Sequence, residues 1–245
     1  MTNLKYVFKG YSESFSIIER KELKLFYMLP GLLSLLLIFL LYYLSTRISF
    51  SLFNQLGSAI HLQEYSKLAY YLLKILVAVI VFLVYFLIYK GLILVLLSPF
   101  LSYISEQVEE DKTGVESNFS LKQNIKFIGR GIVVSSKYLL FEISGTILIL
   151  LLGFLPLVNL LTPGLLILLQ GFFAGASIID YTLERRGMNS TQSLVFVKRN
   201  FLFTALNGII FILFFMLPLI GMFMAPLVSC VAITRGTLLL LEEKK

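Results

Sequence analysis

The sequence contains no tryptophan, one cysteine, one histidine and few charges: Asp, Glu, Lys and Arg together make up 14% of its 245 residues. So little polar surface cannot coat a soluble globule of this size, and with 58% of positions apolar the solvent has to be lipid. A lone Cys230, set inside an apolar run, excludes an intramolecular disulfide and a multi-cysteine metal cluster. A lone His61 cannot make a metal site, and its polar loop suits a solvated surface histidine rather than a pH sensor. There is no HExxH, no GxSxG, no Walker glycine loop and no nucleophile beside a usable base, so neither an enzyme nor a cofactor is expected. The net charge is +7, but the basic residues sit in the gaps between apolar runs and not in a patch interleaved with aromatics, which excludes a nucleic-acid binder.

What is present is a series of long apolar runs, and they predict an all-α integral membrane protein forming a single membrane domain over residues 1–245. Residues 1–24 carry Leu4, Val7, Phe8, Tyr11, Phe15 and Ile18 at spacings of three and four. That stripe describes an amphipathic helix, either lying in the headgroup region or docked on the rest of the protein. The segment lacks a short apolar core followed by a small-residue cleavage site, so the first span is expected to act as the targeting signal. Residues 25–44 are uncharged and long enough to cross the hydrocarbon layer of about 30 Å as one helix. Residues 68–97 form a second span whose only charges, Lys74 and Lys90, stand roughly 24 Å apart along a helix, as two snorkelling anchors would. Residues 98–131 are hydrophilic, with Glu106, Glu109, Glu110, Asp111, Lys112 and Glu116, and read as a solvated loop with a helical extension.

Two further apolar blocks, residues 132–179 and 201–241, are each broken by proline: Pro156, Asn159 and Pro163 in the first, Pro218, Gly221 and Pro226 in the second. The uncharged arms of the first block would reach about 18 and 23 Å as helices. Each block is therefore either a full hairpin that borrows flanking residues or a re-entrant hairpin whose tip must be sheltered in protein or line a cavity. Lys137, Glu142, Asp180 and Arg235 stand near the ends of apolar segments, where anchoring or pairing explains them.

Basic residues also set the orientation. Lys5, Lys9, Arg20, Lys21 and Lys24 precede the first span, only Arg47 and Lys67 follow it, and the later connections are again basic. Both termini are then expected on the cytoplasmic side of a bacterial inner membrane.

Several segments together carry a family resemblance: FKGY at Phe8–Tyr11, FYMLP at Phe26–Pro30, SPFLSYISEQVEE at Ser98–Glu110, the Pro156–Pro163 break, the Asp180–Tyr181 pair and the run from Leu217 to Thr237. In this order they resemble the CysZ sulfate permeases and the related etoposide-induced membrane proteins. The resemblance implies an amphipathic N-terminal helix, two long spanning helices and two hairpins that enter only part of the bilayer. It also implies a membrane permease or channel-like protein for a small inorganic anion such as sulfate, assembled as a homo-oligomer. In the sulfate-transporting relatives a glycine-led, arginine-containing stretch before the first span holds the oxyanion. Here that stretch reads Glu22, Leu23, Lys24 and Leu25, which leaves Lys21 and Lys24 as the candidate anion-binding residues. The competing expectation, motivated by this change, is a non-transporting membrane scaffold or biogenesis protein of the same fold.

Overall fold

The computed structural model describes residues 2–59, 67–115, 121–217 and 219–243, and every element among them is helical. His61, Glu116, Pro218, Lys244 and Lys245 fall outside the described residues. The chain divides into two compact units, one of Met1–Gly31 with Gly91–Lys245 and one of Leu32–Lys90.

In chain order the helices are α1 (Thr2–Arg20), a 3-10 turn (Leu23–Tyr27), α2 (Met28–Ala59), α3 (Lys67–Leu96), α4 (Ser98–Thr113), α5 (Leu121–Leu152), the single turn α6 (Pro156–Asn159), α7 (Thr162–Arg185), α8 (Ser190–Arg199), α9 (Phe201–Phe215) and α10 (Ile220–Glu243). Four stretches pass for membrane spans by length and apolarity: Leu23–Ile48, Gly129–Leu152, Thr162–Arg185 and Ile220–Glu243. Two helix pairs pass together but bend sharply, by 63° at the start of α4 and by 91° between α8 and α9.

The Leu32–Lys90 unit holds most of α2 and α3. Its side chains Leu36, Phe39, Tyr42, Leu72, Ile75 and Ile80 are exposed, the pattern of a surface that meets lipid. Arg47 lies over the Tyr43 ring and donates to its hydroxyl at 3.2 Å, a pairing suited to the water boundary of a bilayer. Lys90, expected as a snorkelling anchor, is instead buried, and the side chain of Lys74 is not among those described.

The larger unit is held by backbones that come unusually close. Where α7 crosses α9, a Cβ on Gly208 would fall inside contact distance of the Gly171 carbonyl oxygen, and one on Gly175 would do the same at the Thr204 carbonyl. Gly171 and Gly175 stand one turn apart in a small-xxx-small pattern, which lets two helices meet where apolar surface gives no preference over lipid. The crossing of α1 and α10 repeats the device, with Gly10 against the Ala232 carbonyl and Gly236 against the Tyr6 carbonyl at 2.8 Å from an added Cβ. That contact decides how the amphipathic N-terminal helix is used. Tyr6, Val7, Ile17 and Ile18 are buried within the unit, so α1 docks along α10, with Phe8 and Phe15 the large apolar side chains it leaves exposed among the described residues.

Both proline-broken hairpins are present, but the arms of the first are longer than its uncharged runs. Gly129–Leu152 and Thr162–Arg185 each have 24 residues, about 36 Å of helix, enough for the hydrocarbon layer. The helices continue through Arg130, Asp180, Glu184 and Arg185 because these charges are paired with one another or with α4. In the second hairpin α10 has 24 residues while α9 has 15, about 22 Å.

The first tip is not sheltered by its own chain. Leu157 and Leu160 are 89% and 86% exposed, and Pro156, Asn159 and Pro163 are exposed beside them. Shelter is unnecessary because successive tight turns satisfy the backbone locally: the amides of Val158 and Asn159 donate to Leu155 O at 3.0 and 2.9 Å, that of Leu161 to Val158 O at 2.9 Å and that of Leu165 to Leu161 O at 3.0 Å. Leu155 is extended, as the residue before proline prefers, and Pro163 occupies the first turn of α7. In the second tip Leu219 is left-handed, with φ 58°, and Gly221 fits against the carbonyl of Phe214, where a Cβ would clash. Pro226, grouped with this tip on sequence, lies inside α10 and is buried.

Gly208→Val is expected to separate α7 from α9 and cost at least the 1–3 kcal/mol of ordinary overpacking, because the obstruction is backbone. Thermal stability followed by size-exclusion chromatography should fall steeply for this variant and hardly change for Gly164→Ala, whose Cβ meets open space.

Candidate functional site

The stretch expected to bind an anion is the junction of α1 and α2. Helix α1 stops at Arg20, Glu22 turns the chain through a left-handed conformation with φ 53° and ψ 31°, and the 3-10 turn leads into α2. A left-handed residue is the place glycine takes without strain, so Glu22 holds this turn at a cost of about 1 kcal/mol. Leu23 is buried and pins the turn, while Leu25 is exposed.

Each cation here already holds an acid. The Arg20 guanidinium donates to both oxygens of Asp111 at 3.0 and 2.9 Å. Lys21 lies 3.5 Å from Glu110, and Lys24 donates to Glu19 at 2.8 Å. Hydrogen bonding from Lys24 holds the Glu19 carboxyl below its usual range. Three cations thus share the junction with four carboxylates, Glu19, Glu22, Glu110 and Asp111. An anion at Lys21 or Lys24 would compete with a carboxylate already in contact.

A second charged cluster, of which the sequence assigns only Asp180 to anchoring or pairing, ties four helices together. Asp180 and Glu184 stand one turn apart on α7 and face Arg130 of α5, whose guanidinium is 3.3 Å from Asp180 Oδ1 and 3.4 Å from Glu184 Oε1. The same guanidinium donates to Ser193 Oγ of α8 at 3.2 Å and to the Met188 carbonyl at 2.5 Å. On the opposite side of α7, Arg185 lies 3.2 Å from Glu106 of α4 and donates to the Ser102 hydroxyl at 3.0 Å and to the Ser102 carbonyl. Arg186 and Glu109 add a pair at 2.8 Å. Asp180 and Glu184 are 1% and 4% exposed, so these charges are affordable in an apolar unit only as a paired set.

Local sequence explains how the cluster is aimed. Gly187, left-handed at φ 77°, ends α7: its amide donates to Glu184 O at 2.9 Å and the Met188 amide to Leu183 O at 3.1 Å. Asn189 then opens α8 with a reciprocal cap, its side chain accepting from the Gln192 amide at 2.9 Å while Gln192 accepts from the Asn189 amide at 2.8 Å. Arg235 reaches Glu13 of α1 at 2.5 Å. Glu142 is buried and Lys137 exposed. In α1, Tyr11 donates to Ser229 Oγ at 3.3 Å and to the Asn207 carbonyl at 3.4 Å, and burial pushes its phenol up. Cys230 is fully buried and its thiol donates to the Leu101 carbonyl at 3.3 Å. Among the described residues no three His, Cys, Asp or Glu side chains gather to hold a metal ion.

Long apolar helices, proline-broken hairpins and charges neutralised in pairs define a multi-pass helical membrane protein. The family described as Sulfate transporter CysZ/Etoposide-induced protein 2.4 matches residues 11–226, and the chain belongs to it. No curated protein matches this chain.

Arg130→Met is expected to cost about 3–5 kcal/mol, because Asp180 and Glu184 lose their shared counter-charge; a thermal shift in detergent reads it directly. The Asp111 carboxyl, held below its ordinary value chiefly by the Arg20 hydrogen bond, stabilises the fold at neutral pH and ceases to do so as pH falls through that depressed value. Asp111→Asn should therefore be less heat-stable than the parent at neutral pH, and the gap should close as pH falls through the depressed value of the parent's carboxyl.

Proposed function

We propose that this protein conducts a small inorganic anion, sulfate first among those to test, across a bacterial inner membrane. Membership of a sulfate-transporter family over residues 11–226 carries the reading. The junction at Lys21 and Lys24 supports it, since a tight left-handed turn places two lysines before the first span. We read the chain as a transport protein and not an enzyme, acting as a homo-oligomer with both termini cytoplasmic. Lys5 near the start of α1 pairs with Glu243 at the end of α10, 2.9 Å apart, which supports placing both ends on one face. The basic connections then favour the cytoplasmic side for that face. Lipid is its surrounding partner, and neither nucleic acid nor a cofactor enters the reading.

One observation favours a second reading, a membrane scaffold or biogenesis protein of the same fold: every cation at the junction is matched by a carboxylate, and Glu22 adds one more.

Uptake of labelled sulfate into proteoliposomes separates the two. Transport predicts uptake above that of empty vesicles, lower in Lys24→Gln by several-fold, and higher in Glu22→Gly, which removes both a repelling carboxylate and about 1 kcal/mol of backbone strain. Uptake equal to empty vesicles in the parent and in Glu22→Gly alike would leave the scaffold reading standing.

A further inference from the structure

Most cations of the larger unit are matched by acids: Lys5, Arg20, Lys21, Lys24, Lys112, Arg130, Arg185, Arg186 and Arg235 each lie within 4.0 Å of a carboxylate. Lys198 and Arg199, adjacent at the C-terminal end of α8, are exposed and take no ion pair among the described residues. Beside them lies a shallow, open groove of about 380 Å³ along one face of α8, lined by Met188, Thr191, Gln192, Val195, Phe196 and Arg199, mostly apolar with Arg199 as its charged residue.

The direction of α8 says what meets this groove. It turns by 91° into α9, whose Phe201, Leu202 and Leu213 are exposed apolar side chains suited to lipid. With α9 in the hydrocarbon, a helix at a right angle to it lies in the headgroup plane. Helix α8 is also rigidly placed there, by the Asn189–Gln192 cap at one end and by Ser193 accepting from Arg130 in its middle. Val195, 55% exposed, then points an apolar group outward on a helix that carries uncompensated positive charge at its end.

We propose that this groove binds an anionic phospholipid, its phosphate on Arg199 with Lys198 alongside and its glycerol and upper acyl chain along Val195, Phe196 and Met188. A guanidinium fork matches two phosphate oxygens, and the lipid's net negative charge distinguishes it from a zwitterionic headgroup that brings its own cation. The Thr191 and Gln192 side chains supply neutral polar groups at the glycerol level. This site is separate from the α1–α2 junction and does not depend on what the protein carries.

The absence of tryptophan makes the test direct, since one introduced indole is the only one in the chain. Val195→Trp protein, full length, is placed in vesicles containing phosphatidylcholine and a fixed fraction of brominated phosphatidylglycerol or brominated phosphatidylcholine. The indole should be quenched preferentially by the brominated anionic lipid, with an apparent preference of about fivefold per basic residue engaged. The preference should disappear when Lys198→Gln and Arg199→Gln are added. An indole at Leu140, exposed on α5, should show no preference. Should Val195→Trp fail to fold, Thr191→Trp on the same groove reports instead. Equal quenching by the two lipids, a preference that survives the glutamine substitutions, or quenching by aqueous iodide in place of brominated lipid would each overturn the proposal. So would loss of the preference in inorganic phosphate but not in chloride of equal ionic strength, which would assign the site to a free anion.

Discussion

Helices dissolved in lipid gain little by burying one leucine against another, because the lipid tail is as apolar as the partner. What holds the larger unit together is therefore close backbone approach, and it depends on the missing side chains of Gly171, Gly175 and Gly208 between α7 and α9 and of Gly10 and Gly236 between α1 and α10. Those two crossings bring α1, α7, α9 and α10 into one packed body whose fully buried residues include Phe203, Phe211, Ile178, Leu227 and Ile233. The tips and the outer faces of α5 project from that body and present leucine and phenylalanine outward.

The same solvent imposes a second rule, that charge and backbone polarity must be answered within the protein. Arg130 answers Asp180 and Glu184, Arg185 answers Glu106, and the exposed first tip answers its own amides through consecutive turns. Obeying this rule allows helices to run through residues that a hydropathy reading takes for boundaries, and it frees a tip from the need for a protein cover. It also leaves the α1–α2 junction electrically balanced, so the feature that resembles an oxyanion site arrives already occupied by the chain's own carboxylates. At the end of α8, Lys198 and Arg199 are exposed and meet no acid among the described residues.

Much of the architecture was legible in one dimension. The two long runs became α2 and α3, the first proline cluster became the tip between α5 and α7, the second apolar block broke between α9 and α10, and the 3.6-residue stripe near the start became α1. The order of short motifs from Phe8 to Thr237 was enough to point at the family that matches residues 11–226. Less legible were Pro226, whose place inside α10 follows from the helix around it, and Lys90, whose burial follows from packing. The Arg130 cluster was visible only as scattered charges, since its members are brought together from α4, α5, α7 and α8. A spacing of four between Asp180 and Glu184 was the one sequence signal that they share a helix face.

Composition and periodicity by themselves determined that lipid is the solvent, that the chain is helical, and where it is broken, because these are properties of local runs and of the backbone of proline and glycine. Tertiary structure alone decided which charges meet. It also decided that α1 lies on α10, that Glu22 holds a left-handed turn, and that two cations on α8 meet no acid among the described residues. Each of those outcomes depends on distances between residues far apart in the chain, which no local pattern encodes.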